Sequence, residues 1–131
     1  MSQENVEIVR RMYEAFHAGD GETALAHFHP EVLVDATRRL DGDIGHGRDS
    51  LSATIGAWVG AFEEWREDIE EMRDVGSQVY VVATQRGRGK GSGIEVEARY
   101  ALLYEVREGQ ITRITVYGDP AEALEAAAVA D

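Results

Sequence analysis

One alternation constrains this chain more than any other feature. From residue 94 to 106 every second position is apolar: Ile94, Val96, Ala98, Tyr100, Leu102, Tyr104 and Val106. The opposite parity reads Glu95, Glu97, Arg99, Ala101, Leu103, Glu105 and Arg107. A period of two held this long requires an extended strand with one face on a core. Residues 78–87 behave alike, with Tyr80, Val82 and Thr84 opposing Val79, Val81 and Ala83. The stretch 66–75 (Ile69, Met72, Val75) alternates poorly, which predicts a bulge or an edge strand. Turns at 76–77 and 108–109 are too short for crossovers, so these strands and the next one, 110–117, run antiparallel.

The N-terminal half carries a different period. Val6, Val9, Met12, Tyr13 and Phe16 fall at three- and four-residue spacings and predict an amphipathic helix over 3–18. Gly19 suits the left-handed position after it, and Asp20 can cap a short helix over 21–28 that Pro30 stops. A short β-branched run, 31–36, reads as a strand. Residues 37–48 form a polar, glycine-bearing loop, followed by a third helix capped by Asp49 or Ser50 and running to about Glu64. Its stripe is Leu51, Ile55, Trp58, Val59 and Phe62. Asp119 and Pro120 open a terminal helix. Helices gathered before a curled antiparallel sheet make an α+β domain. With 131 residues there is room for one such domain and a sizeable core.

The composition removes several functional classes. There are 25 acids against 13 Lys and Arg, a formal net charge of −12, which argues against nucleic acid and anionic membrane surfaces as partners. The absence of cysteine excludes disulfides, thiolate nucleophiles and Cys-ligated zinc. Residues 1–7 lack the basic start and apolar stretch of a secretory signal, and no apolar run approaches a membrane span, so a cytoplasmic protein is expected. The acids concentrate in 61–75, seven against two bases, and 67–74 reads as a solvated face. Residues 76–118 reverse the sign, with four acids and six bases. Three of those bases lie in the glycine-rich stretch 86–93, which reads as a soluble hairpin tip.

Several stretches resemble the SnoaL-like branch of the nuclear transport factor 2-like superfamily. Residues 8–20, from Ile8 through Tyr13 and Phe16 to Gly19 and Asp20, are similar to its first-helix signature. His29-Pro30-Glu31-Val32 resembles the approach to its first strand, and Gly45-His46-Gly47-Arg48-Asp49 the loop before its third helix. Glu108-Gly109-Gln110-Ile111 and the run from Tyr117 to Leu124 resemble its last turn, strand and helix. The resemblance implies a cone in which a curved sheet wraps the N-terminal helices around an apolar pocket. It also implies homodimers through the convex sheet face. Its members include ketosteroid isomerases, polyketide cyclases, epoxide hydrolases, dehydratases and non-catalytic modules.

The catalytic members need a carboxylate whose pKa burial raises towards neutrality. Asp35, near the base position after the first strand, is the expected base, with Tyr13 and His46 as hydrogen-bonding partners. Met12 stands in the register where isomerases place a tyrosine, and Val116 where cyclases place an acid. Met12, Trp58, Tyr100 and Tyr117 are expected to line the pocket, and Arg99 to hold an anionic substrate group. His27 and His29 fall on different helix faces, which is wrong for chelation, so no metal and no organic cofactor are expected. The expected function is binding of a small hydrophobic metabolite, with isomerisation, cyclisation or hydration by a pocket carboxylate. The alternative is a non-catalytic ligand-binding or dimerisation module.

Overall fold

A computed structural model describes residues 2–38 and 43–130. The elements run α1 (Ser2–His17), α2 (Gly21–Ala26), β1 (Phe28–Asp35), β2 (Ile44–His46) and α3 (Gly47–Gly60). They continue with β3 (Phe62–Asp74), β4 (Gln78–Gly89), β5 (Glu95–Arg107), β6 (Gln110–Tyr117) and α4 (Pro120–Ala130). All six strands form one curved, unclosed sheet in the order β2-β1-β6-β5-β4-β3. The α+β cone expected from the sequence is present, with one correction. The sheet is mixed, because β1 pairs with β6 in parallel while every other pairing is antiparallel. Strand direction between elements so far apart in sequence depends on how α1 to α3 return the chain, which no local pattern encodes.

Packing explains the local departures. Helix α1 buries Val6, Val9, Met12 and Tyr13, the predicted stripe, against the inner sheet face. Gly19 follows it at φ +83°, and Asp20 caps α2 by accepting from the Thr23 N–H at 3.1 Å. Strand β1 begins at Phe28, before Pro30 and earlier than the predicted 31. The register shifts between Phe28 and Leu33, a place where proline's missing donor is tolerated. Helix α3 begins at Gly47, so His46 and not Asp49 or Ser50 stands at its N-cap, without a side-chain cap bond. It ends at Gly60 because Phe62 and Glu63 pair with Gly89 and Arg88, and that ladder outcompetes a further helical turn. The loop expected over 37–48 holds the short β2; residues 39–42 of that loop lie outside the described residues.

Strand β3 is both things its broken alternation predicts. It is an edge strand, and its register slips between Glu63 and Arg66 and again between Ile69 and Glu71. Gly87 on β4 lies under the first slip. A Cβ there would meet Phe62 Cβ, the Glu63 carbonyl and Trp65 Cα at 3.2–3.4 Å, so a side chain would require the strands to give by a few tenths of an ångström.

The sheet has a core on each face. The inner core joins α1, α2 and α3 to Val79, Val81, Tyr100, Leu102, Tyr104 and Val116. The outer face packs Tyr80, Val82, Ala101, Leu103 and Tyr117 beneath Ala123 and Ala127 of α4. The rest of the outer face is an ionic ladder: Arg86 binds Asp68 and Glu97 at 2.6 and 2.7 Å, and Arg99 binds Glu70 at 2.9 Å. The face that the resemblance assigns to dimerisation is thus part helix-covered and part charged. No helix among the described residues is long and apolar enough to cross a membrane.

Candidate functional site

Between the inner sheet face and the three N-terminal helices lies a cavity of about 350 Å³. Its wall is built by residues already placed by periodicity. Met12, Tyr13 and Phe16 come from α1, Leu51, Ile55 and Trp58 from α3, and Leu102 and Tyr104 from β5. Gly21 and Gly56 are exposed and also line it, marking its opening between α2 and α3. Among the described residues, its one carboxylate or basic side chain is Glu67 of β3.

The Glu67 side chain is only 5% exposed. Its Oε1 lies 2.9 Å from His17 Nε2, and its Oε2 accepts from the Tyr100 hydroxyl. Beside it the hydroxyls of Tyr13 and Tyr104 meet at 2.6 Å, with the rings edge-to-face. The indole N–H groups of Trp58 and Trp65 both donate to Gln85 Oε1, at 2.6 and 3.0 Å. Two large rings are thereby fixed by one buried amide of β4. The site is a mainly apolar, aromatic-lined cavity with Glu67 and a hydrogen-bonded tyrosine pair in its wall. Among the described residues no three His, Asp or Glu side chains converge as a metal site, and His29 Nδ1 is turned to the Glu31 N–H.

Both paired phenols are held well above the ordinary range near 10. Burial is the main cause for each, and the charge of Glu67 adds to it. Each therefore stays a neutral donor at any physiological pH. The sign for stability follows from linkage. The unfolded chain gives up these protons near pH 10 while the folded chain retains them, so stability falls as pH rises above about 10. In an alkaline titration, phenolate absorbance for at least two of the five tyrosines should appear only together with loss of the circular dichroism of the fold. Complete ionisation of all five with the fold intact would contradict this placement.

The expected site residues separate into two groups. Tyr13, Met12 and Trp58 line the cavity, and Tyr100 reaches it through Glu67 and a ring contact with Trp58 at 5.1 Å. Asp35 does not join them. Val32 and Val34 take the inner parity of β1, which turns Asp35 outward. There its Oδ1 accepts from Thr37 N and Oγ1 at 3.0 and 2.6 Å and closes the turn after the strand. Arg99 and Tyr117 also lie on the outer face, Arg99 in its ion pair and Tyr117 under α4. His46 is exposed at the start of α3, outside the cavity wall.

Glu67 was hidden in an acidic run that reads as solvated. Its parity, shared with Trp65 and Ile69, is the one signal that could have singled it out.

The SnoaL-like domain family matches residues 9–114. An uncharacterized protein of Mycobacterium tuberculosis is 32% identical over 124 residues, covering 89% of this chain and 91% of the relative. A nuclear transport factor 2-like protein of unknown function from Burkholderia pseudomallei superposes with a TM-score of 0.78 at 26% identity, covering 95% and 97% of the two chains. A candidate SnoaL-like polyketide cyclase from Jannaschia sp. gives 0.78 at 19% identity, with 95% and 92% covered. At that identity it speaks for the fold alone. From Val9 on the first helix to Ile114 on the last strand, the chain belongs to the SnoaL-like family.

Proposed function

We propose that the cone binds a small, mainly hydrophobic molecule and that Glu67 exchanges a proton with it, without help from a metal or organic cofactor. The observation that carries this reading is the placement of one nearly buried carboxylate in the wall of an otherwise apolar cavity of about 350 Å³. A cavity of that size suits a metabolite of one or two rings. A carboxylate removes a proton from carbon most readily when a neutral donor steadies the oxygen that gains charge. The tyrosine pair supplies that donor. Two hydroxyls share one hydrogen bond, which leaves the second phenolic proton for a bound carbonyl.

Binding is tested with prodan, a neutral naphthyl ketone whose emission shifts to the blue in dry surroundings. The expected result is saturable binding of one probe per chain. Proton transfer is tested by proton NMR of 2-tetralone in deuterium oxide. The protein should speed exchange of deuterium into the positions beside the carbonyl, and Glu67→Gln should slow that exchange by about 10²-fold or more. Saturable prodan binding with exchange no faster than in buffer would favour the non-catalytic ligand-binding module. No saturable binding would remove both readings.

A further inference from the structure

The polar inventory of the cavity is one-sided. Glu67 is its only formally charged member, and no Lys or Arg lines it among the described residues. Arg48, on the neighbouring first turn of α3, is turned away: its Nε and Nη2 donate to the Phe28 carbonyl at 2.9 and 2.6 Å. Arg99, which would have suited an anionic substrate group, is on the opposite face of the sheet, paired with Glu70. Each Glu67 oxygen already takes one hydrogen bond, from His17 and from Tyr100, and keeps a further lone pair. Around it stand the rings of Tyr13, Phe16, Trp58, Trp65 and Tyr104, whose faces carry negative potential.

We propose that this chamber selects hydrophobic amines: a protonated nitrogen set against Glu67, with its alkyl or aryl body among the aromatic rings, while carboxylates and phosphates are refused. The inference rests on the reading of the cone as a ligand site and adds the charge of the ligand. Among the described residues the one cation within reach of Glu67 is His17, charged only when protonated. A ligand ammonium group therefore adds a permanent opposite charge, whereas a second anion in the same apolar space is costly. Aromatic faces attract ammonium groups and gain strength as water is excluded. The same field opposes ionisation of Tyr13 and Tyr104, for which Glu67 adds to the effect of burial.

Three ligands of one shape decide the matter at pH 7: 4-phenylbutylamine, 4-phenylbutanol and 4-phenylbutanoate, each titrated against bound prodan. The amine is expected to displace the probe at a concentration at least tenfold below the alcohol, and the carboxylate not to displace it at all. Glu67→Gln keeps the shape and one acceptor oxygen while removing the charge, so it should bring amine and alcohol within about threefold of each other. Equal potency of amine and alcohol on the native protein overturns the charge assignment while leaving the cone a binding site. So does an amine advantage that survives Glu67→Gln, since the carboxylate would then not be its source. Failure of prodan itself to bind overturns this inference together with the reading beneath it.

Discussion

Gly56→Phe is expected to lower prodan affinity by more than tenfold while leaving the melting temperature unchanged or raised. Gly56 lies on α3 at the opening of the cavity, and a Cβ built on it meets nothing within 4 Å. A benzyl group there extends into the space a ligand must cross or occupy. The backbone does not oppose the change, because Gly56 is helical and has none of the positive φ values found at Gly47 or Gly76. Glycine trails alanine in a helix by roughly 0.5–1 kcal/mol, and phenylalanine recovers part of that difference, which offsets a modest cost of ring exposure. Fluorescence titration beside a thermal melt separates the two effects. Unaltered prodan affinity would place the bound probe outside the cone.

Tyr104→Ala should cost about 3–5 kcal/mol of stability, enough to lower the melting temperature by roughly 10 °C or more. Tyr104 is 2% exposed, central on β5, and touches α1 through Tyr13, so its ring joins sheet to helix. Its removal leaves a void that two rigid elements cannot close. Tyr104→Phe keeps the ring and removes only the hydroxyl, leaving Tyr13 without its 2.6 Å partner; it should cost about 1–2 kcal/mol. Combining it with Tyr13→Phe should cost less than the two single changes summed, because no buried hydroxyl then lacks a partner. Urea melts of the native protein, the two single Phe variants and the double variant provide the cycle. An additive result would mean that the two phenols do not depend on each other.

The strands and helices of this chain were legible wherever one face met one core. On β5 the even-parity Tyr100, Leu102, Tyr104 and Val106 join the inner core as the alternation predicts, as do Val6, Val9, Met12 and Tyr13 of α1, while Ala101 and Leu103 are buried on the other face beneath α4. Ile94, just before β5, continues the alternation but stands 65% exposed. Three-residue β2 could not be read, because a short exposed ladder needs no apolar pattern. The site was harder still. Tyr13, Met12 and Trp58 were found because wall residues of an apolar cavity follow the same periodicity as core. Asp35 drew attention through its position in the chain, yet one step of strand parity decides which face a side chain serves, and it serves the outer one. Glu67 obeys the inward parity of β3, but two register slips in that strand blur the count.

Those slips and the charges around them have a bearing on solubility. Strand β3 is thirteen residues long and lies at the sheet's margin, where unpaired peptide groups can template a strand from another molecule. A flat, apolar margin of that length would invite fibrous self-association. Here the strand is kinked twice, and it carries Glu63, Glu64, Arg66, Asp68, Glu70, Glu71, Arg73 and Asp74. An incoming strand would have to desolvate that array and match an irregular spacing of donors and acceptors. The acidic run that hides Glu67 within it also lies along the open edge of the sheet, so one segment supplies the cavity's carboxylate and makes strand pairing at that edge costly.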